Sequence, residues 1–307
     1  MKDGGKVLIG ISIAIFLFYK IGSTKIITAL LSMDIRFIPL ILILTGVLAL
    51  MNASSLVVLY HPLKKKEVSL WQFFRLRLLT LILGNITPNK VGELYLFFLL
   101  KKMYKIKILP IFSIFVMDKA TTLVHALFFT GIWYAILVKG LQTSIIFGVG
   151  ILILLMGLVG LVYGIRKIEK ISWNLLYIRN IKSLLKYERK FLSGYILENY
   201  KYLVANIGIT FLSVGITTLL GEIVFLSLQI KVPFFTYFLI LNAVFVASLI
   251  PLNIVGIGIK EVSTVYLLKE VIGIPTSVGA SGIIIILASR YVVYLVLYLF
   301  LIRAKES

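Results

Sequence analysis

The chain has no cysteine, two histidines, and only 12 acidic residues against 32 lysines and arginines. Without thiols there are no disulfides, thiolate metal sites or cysteine nucleophiles, and compartment is left open. Neither histidine belongs to an H-E-x-x-H, and there is no P-loop or paired-aspartate motif. The sequence therefore offers no familiar metal or nucleotide chemistry and implies no cofactor. What it has in excess is apolar surface: 60% of residues are hydrophobic and the mean hydropathy is +1.06. Several apolar runs reach the roughly 20 residues a bilayer span needs, which makes this an all-α integral membrane protein. A net charge of +20 would suggest nucleic acid in a soluble chain. Here the cations cluster in short loops between apolar runs, as the positive-inside rule predicts, and nucleic acid is not an expected partner.

Six runs are long enough to span: Val7 to Gly22, Phe37 to Tyr60, Ile108 to Val138, Gln142 to Ile165, Tyr202 to Leu228 and Pro275 to Ile302. The first follows Lys2 and Lys6 like a signal peptide, but no small-residue cleavage pattern follows it, so it reads as a membrane helix. Two further apolar segments, Trp71 to Leu100 and Pro233 to Val271, are interrupted by proline and glycine. The interruptions read Pro88-Asn89-Lys90-Val91-Gly92-Glu93 and Pro251 to Glu261, PLNIVGIGIKE. After the first break, Glu93 to Leu100 rises only about 12 Å at helical pitch, which reaches mid-bilayer and no further. Both segments are therefore expected to be re-entrant helical hairpins with tips near the midplane. That layout places 22 cations on one side of the membrane and 6 on the other. Drawing Trp71 to Leu100 as a full span instead gives 18 against 10, so the charge bias favours the hairpin. Both termini are then cytoplasmic, in the cell membrane.

Element order suggests an inverted-topology repeat, residues 37–138 and 202–302, each a span, a hairpin and a span. Between them, 166–201 is basic with apolar residues at Ile168, Ile171, Leu175 and Ile178. It reads as an amphipathic helix on the cytoplasmic leaflet, drawn to anionic lipid, or as a solvated linker.

Four cations remain at membrane depth, Lys90, Lys119, Lys260 and Arg290, with four acids, Glu93, Asp118, Glu222 and Glu261. Each unpaired charge costs roughly 2.5–3.5 kcal/mol at a helix centre. One reading makes them internal ion pairs, Lys90 with Glu93 and Lys260 with Glu261 or Asp118, that lock the hairpins. Buried ion pairs stabilise poorly compared with apolar packing, and these sit at two helix breaks, which favours a site. Helix N-termini at Val91 to Glu93 and Ile259 to Glu261 add backbone donors, and with the cations they suit a phosphate. The acids would balance the empty site, receive an ammonium or carry a proton. Elsewhere, His125 reads as a packing residue or a proton relay, and His61 as interfacial. Gly160 and Gly164 permit close helix packing, and Trp71, Trp133 and Tyr134 fit an aromatic belt. The glycosylation patterns at Asn52 and Asn85 fall inside the membrane and are set aside. Arg75 and Arg77 enter the first hairpin and either escort an anionic headgroup or snorkel to the interface.

The motifs Asn85 to Glu93 (NITPNKVGE), Pro251 to Glu261 and Asp118-Lys119 resemble the flippase-like membrane-domain family. That family is typified by the membrane portion of bacterial lysylphosphatidylglycerol synthetase/flippase, the multiple peptide resistance factor. Gly92, Glu93, Gly256, Gly258 and Glu261 match its motifs by position, while Ile257 stands where a second adjacent glycine is usual. The resemblance implies a lipid-handling membrane domain, without the soluble domain that aminoacylates the lipid.

The expected function is a translocator for a phosphate-bearing lipid, an aminoacylated phospholipid, an ether phospholipid or a polyprenyl phosphate, and not an enzyme. Its substrate-binding residues would be Lys90, Gly92, Glu93, Asp118, Lys119, Glu222, Gly256, Gly258, Lys260, Glu261 and Arg290. One alternative is a non-catalytic partner of a lipid-modifying enzyme, docked through 166–201. Another is a membrane enzyme on a lipid-linked phosphate, with Glu93, Glu261 or Asp118 as acid or base.

Overall fold

The computed structural model describes residues 27–28, 30–63, 68–87, 92–105, 108–137, 176–248, 253–254 and 257–303. Among them the chain is helical apart from one short strand pair. A 3-10 turn, Ile35–Phe37, capped by the Asp34 carboxylate, leads into α1, Ile38–Tyr60, with Pro39 in its first turn where no amide is needed. Helix α2, Leu70–Ile86, starts in a capping box: Gln72 N donates to Ser69 Oγ at 3.2 Å and Ser69 N to Gln72 Oε1 at 2.8 Å. It stops at Thr87, just before Pro88. Helix α3, Tyr95–Tyr104, ends on Lys105 in the left-handed region (φ 52°), and α4, Ile108–Leu137, follows.

The same order of long, short, short and long then recurs. Helix α5, Leu176–Ser227, is two helices joined at Asn199, where φ −127° and ψ 24° leave helical geometry. That kink separates most of the basic segment from the apolar run expected to begin at Tyr202. Helix α6, Phe234–Ala247, leads to the antiparallel pair β1, Asn253–Ile254, and β2, Ile257–Gly258. Helix α7, Ile259–Leu267, starts at once and passes through a π turn, Leu268–Ile272, to Gly273 (φ 82°). Helix α8, Thr276–Arg303, closes the described chain. The sequence carried no expectation of β1 and β2. Their pairing, Asn253 with Gly258 and Ile254 with Ile257, gives backbone groups partners within the protein, as the interior of a membrane protein requires.

Among the described residues, four helices are long and apolar enough to cross a membrane: Ile35–Leu63, Leu109–Trp133, Glu198–Ser227 and Thr276–Leu297. They coincide with four of the six expected spans. The other two, Val7 to Gly22 and Gln142 to Ile165, lie outside the described residues, as does most of the first break. Helices α2, α3, α6 and α7, at 17, 10, 14 and 9 residues, are each shorter than a typical span.

Two of the four apolar clusters among the described residues contain most of the buried core. One joins α1 to the second half through Ile41, Leu48, Phe225, Tyr237, Ile240 and Ile285. The other joins α1 to α2, α3 and α4 through Leu56, Phe73, Leu96, Ile114 and Phe115, with Tyr60 stacked on Phe73 at 4.0 Å. Helix α1 therefore runs between the two halves. Close approaches rest on glycine: a Cβ on Gly221 would lie 2.0 Å from the Tyr237 ring, and one on Gly282 would lie 2.6 Å from that of Phe225.

Candidate functional site

Polar side chains recur at helical spacing on three of the long helices. Helix α1 presents Thr45, Asn52 and Ser55, α4 presents Asp118, Lys119, Thr122 and His125, and α5 presents Thr210, Ser213 and Thr217. On an apolar helix, positions three, four and seven apart share one face, so each set forms a stripe. The stripes converge on a cavity of about 230 Å³, which Arg77 from α2, Lys260 from α7 and Arg290 from α8 also line.

Glu93 organises one wall. Its Oε2 accepts from Arg77 Nη2 at 3.0 Å and from Lys119 Nζ at 3.0 Å. Both cations also stand over the Phe115 ring, at 5.6 and 5.2 Å from its centroid. Arg77 is 1% exposed and Glu93 5%, whereas the Lys119 side chain is 46% exposed and opens into the cavity. Two guanidinium nitrogens of Arg77, Nε and Nη1, are buried with no hydrogen-bond partner.

The break after α2 sets where Glu93 sits. Gly92 N donates to Thr87 Oγ1 at 2.7 Å. A Cβ on Gly92 would lie 2.3 Å from the Leu83 carbonyl carbon, and one on Gly84 would lie 2.7 Å from Glu93 Cγ. Only two glycines allow the chain to fold back this closely, and the fold-back brings the Glu93 carboxylate against Arg77 seven residues into α2.

A second polar cluster ties three long helices together. Asp118 Oδ1 accepts from Ser55 Oγ and, at 3.0 Å, from Asn206 Nδ2. The same amide also donates to Ser55 O and to Ser55 Oγ, both at 3.0 Å. Ser213 Oγ donates to Asn52 Oδ1 at 3.2 Å, and Thr45 Oγ1 meets Ser289 Oγ at 3.1 Å. Asp118 thus acts first as a lock between α1, α4 and α5.

Of the expected residues, Glu93, Asp118, Lys119, Lys260 and Arg290 share the cavity. Glu261 lines a smaller adjoining one of about 30 Å³ together with Lys260 and Arg290, and its Oε2 accepts the Gly258 amide at 2.9 Å. Gly92 and Gly258 shape backbone rather than line the cavity. Glu222, on α5, lines neither space. Lys90 and Gly256 lie outside the described residues. Arg77, counted from the sequence with the loop cations and read either as a headgroup escort or as a side chain snorkelling to the interface, is instead buried among the interior charges. Helical phase carries the missing signal: Phe73, Arg77, Thr80, Leu81 and Gly84 lie on one face, and all are buried. His125 lies in the cavity wall and packs on Phe129 at 4.7 Å, with Phe211 and Phe238 close by.

These features define a polytopic helical membrane protein with a charged cavity lined by both its long and its short helices. The chain belongs to the lysylphosphatidylglycerol synthase transmembrane-region family, whose model matches residues 5–297, and its role is accordingly one in membrane lipid handling. No curated protein and no solved structure matches the chain.

Proposed function

We propose that this protein translocates a phosphate-bearing lipid between leaflets, with the headgroup in the central cavity and the acyl or prenyl chains in the bilayer. The observation that carries this reading is Arg77, a buried guanidinium lining the cavity with two nitrogens unpartnered. Leaving buried donors unmade is costly, and an oxyanion supplies what they lack. Lys119, Lys260 and Arg290 line the same space. At about 230 Å³ the cavity is smaller than the roughly 300–1,000 Å³ of drug-sized sites, so it suits a headgroup and leaves the chains outside.

The two helix breaks act in this proposal as re-entrant hairpins, one in each half of an inverted repeat. Their tips gate the cavity alternately toward each leaflet, with both termini in the cytoplasm. The residues bind and release a lipid and do not alter it. Aminoacylated phospholipid, ether phospholipid and polyprenyl phosphate all carry the required phosphate.

Purified protein in liposomes should speed the movement of a fluorescent phospholipid labelled in one leaflet. Replacing Lys260 and Arg290 together by alanine should slow it at least about tenfold, in line with 1.5–3 kcal/mol for a charge-assisted contact. An unchanged rate in that variant refutes the assignment of the site. No acceleration by the unaltered protein refutes translocation.

A further inference from the structure

The wall of the cavity carries more positive than negative charge. Arg77, Lys119, Lys260 and Arg290 line it against two acids, Glu93 and Asp118. His125, in the same wall, can only add to the positive side. Glu261 in the adjoining cavity lowers the formal excess from two to one, and its carboxylate is turned to the Gly258 amide. Glu93 already holds two cations, and Asp118 Oδ1 already takes two neutral donors. On the donor side, Arg77 keeps two unpartnered nitrogens. Among the described residues no carboxylate lies within ion-pairing distance of Arg290.

Such a wall sorts headgroups by their net charge. A phosphodiester that also carries an ammonium brings none, and an aminoacyl group with two ammoniums adds to the imbalance. A plain phosphodiester brings one negative charge. A terminal phosphate brings about −1.5 to −2 at neutral pH, with three acceptor oxygens for guanidinium forks. We propose that the cavity selects a terminal phosphate, a phosphomonoester or diphosphate headgroup without an ammonium, over phosphodiester and aminoacylated headgroups. This rests on the reading of the cavity as the headgroup site, and it narrows the three lipid classes named above to those ending in phosphate.

Calorimetric titration of the purified full chain in detergent tests the selectivity with short-chain lipids that dissolve singly. Dihexanoyl phosphatidic acid, a monoester, should bind at least about tenfold more tightly than dihexanoyl phosphatidylglycerol, since its third unesterified oxygen allows one more charge-assisted contact with the four cations of the wall. Dihexanoyl phosphatidylethanolamine should bind more weakly still. Arg290→Gln should erase most of the monoester preference, and Arg290→Lys should keep most of it. Equal affinities, or a preference for the diester or zwitterion, overturn the inference, as does a preference untouched by Arg290→Gln. Inorganic phosphate serves as the probe for a free anion. Binding weaker than the lipid monoester supports a lipid source, and equal binding overturns it.

Liposomes separate this inference from the function it rests on. If labelled phosphatidylglycerol crosses as fast as labelled phosphatidic acid, the selectivity falls and translocation stands. If neither crosses while calorimetry keeps the monoester preference, translocation falls and the selectivity stands.

Discussion

Replacing Glu93 with glutamine tests the wall of the cavity at its most sensitive point. The change keeps shape and removes charge, and two cations lose their shared partner at 3.0 Å each. Their losses are unequal. Arg77, at 1% exposure, is left as an uncompensated buried charge, which costs about 3–5 kcal/mol. The Lys119 side chain is 46% exposed, so it relaxes into the cavity, and its pair with Glu93 is worth about 0–1 kcal/mol. Glu93→Gln is therefore expected to destabilise by about 3 kcal/mol, and Lys119→Met by less than about 1 kcal/mol. In a thermal unfolding assay in detergent, Glu93→Gln should lower the midpoint by on the order of 5 °C. Arg77→Met combined with Glu93→Gln should cost less than the two separately, with a coupling of about 2 kcal/mol. If Glu93→Gln unfolds no earlier than Lys119→Met, or the double variant is additive, the ion pair is not what holds this wall.

Gly92→Ala would push a Cβ within 2.3 Å of the Leu83 carbonyl carbon, where backbone cannot yield. It should destabilise by at least about 2 kcal/mol in the same unfolding assay. Gly208→Ala, with no atom within 4 Å of its Cβ, should be neutral or stabilising by up to about 1 kcal/mol. Asn206→Leu removes the amide that spans Ser55 and Asp118 and should cost about 1–3 kcal/mol. Because that cluster ties α1, α4 and α5, amide hydrogen exchange should rise at all three helices rather than at α5 alone.

Much of this arrangement is readable from one sequence, for a physical reason. A bilayer tolerates charge and broken helix only where protein or water receives them, so Lys119, Lys260 and Arg290 stood out against apolar surroundings, and all three line one cavity. The four described spans were legible because apolar length is the signal itself. Arg77 was legible only in part: a cation near a membrane edge reads as headgroup escort or as snorkelling side chain alike, and only the helical phase of α2 separates it from Arg75. The polar stripes on α1 and α5 were not legible. Threonine, serine and asparagine are common in apolar helices, where they bond their own backbone, as Thr45 does to Ile41 O at 2.7 Å. What makes them a cavity wall is the meeting of three stripes, a tertiary fact. The strand pair between α6 and α7 was hidden for a similar reason, because proline and glycine announce a break without saying how its amides are satisfied.

In the proposed function, lipid phosphate sits against cations inside the protein. Solid-state magnetic resonance of arginine-¹⁵N protein in liposomes measures this directly, through dipolar dephasing of guanidinium nitrogens by lipid ³¹P. Dephasing is expected, and a defined part of it should disappear in Arg290→Gln. The same dephasing in wild type and variant would mean that Arg290 touches no lipid phosphate, and would contradict its place in the headgroup site.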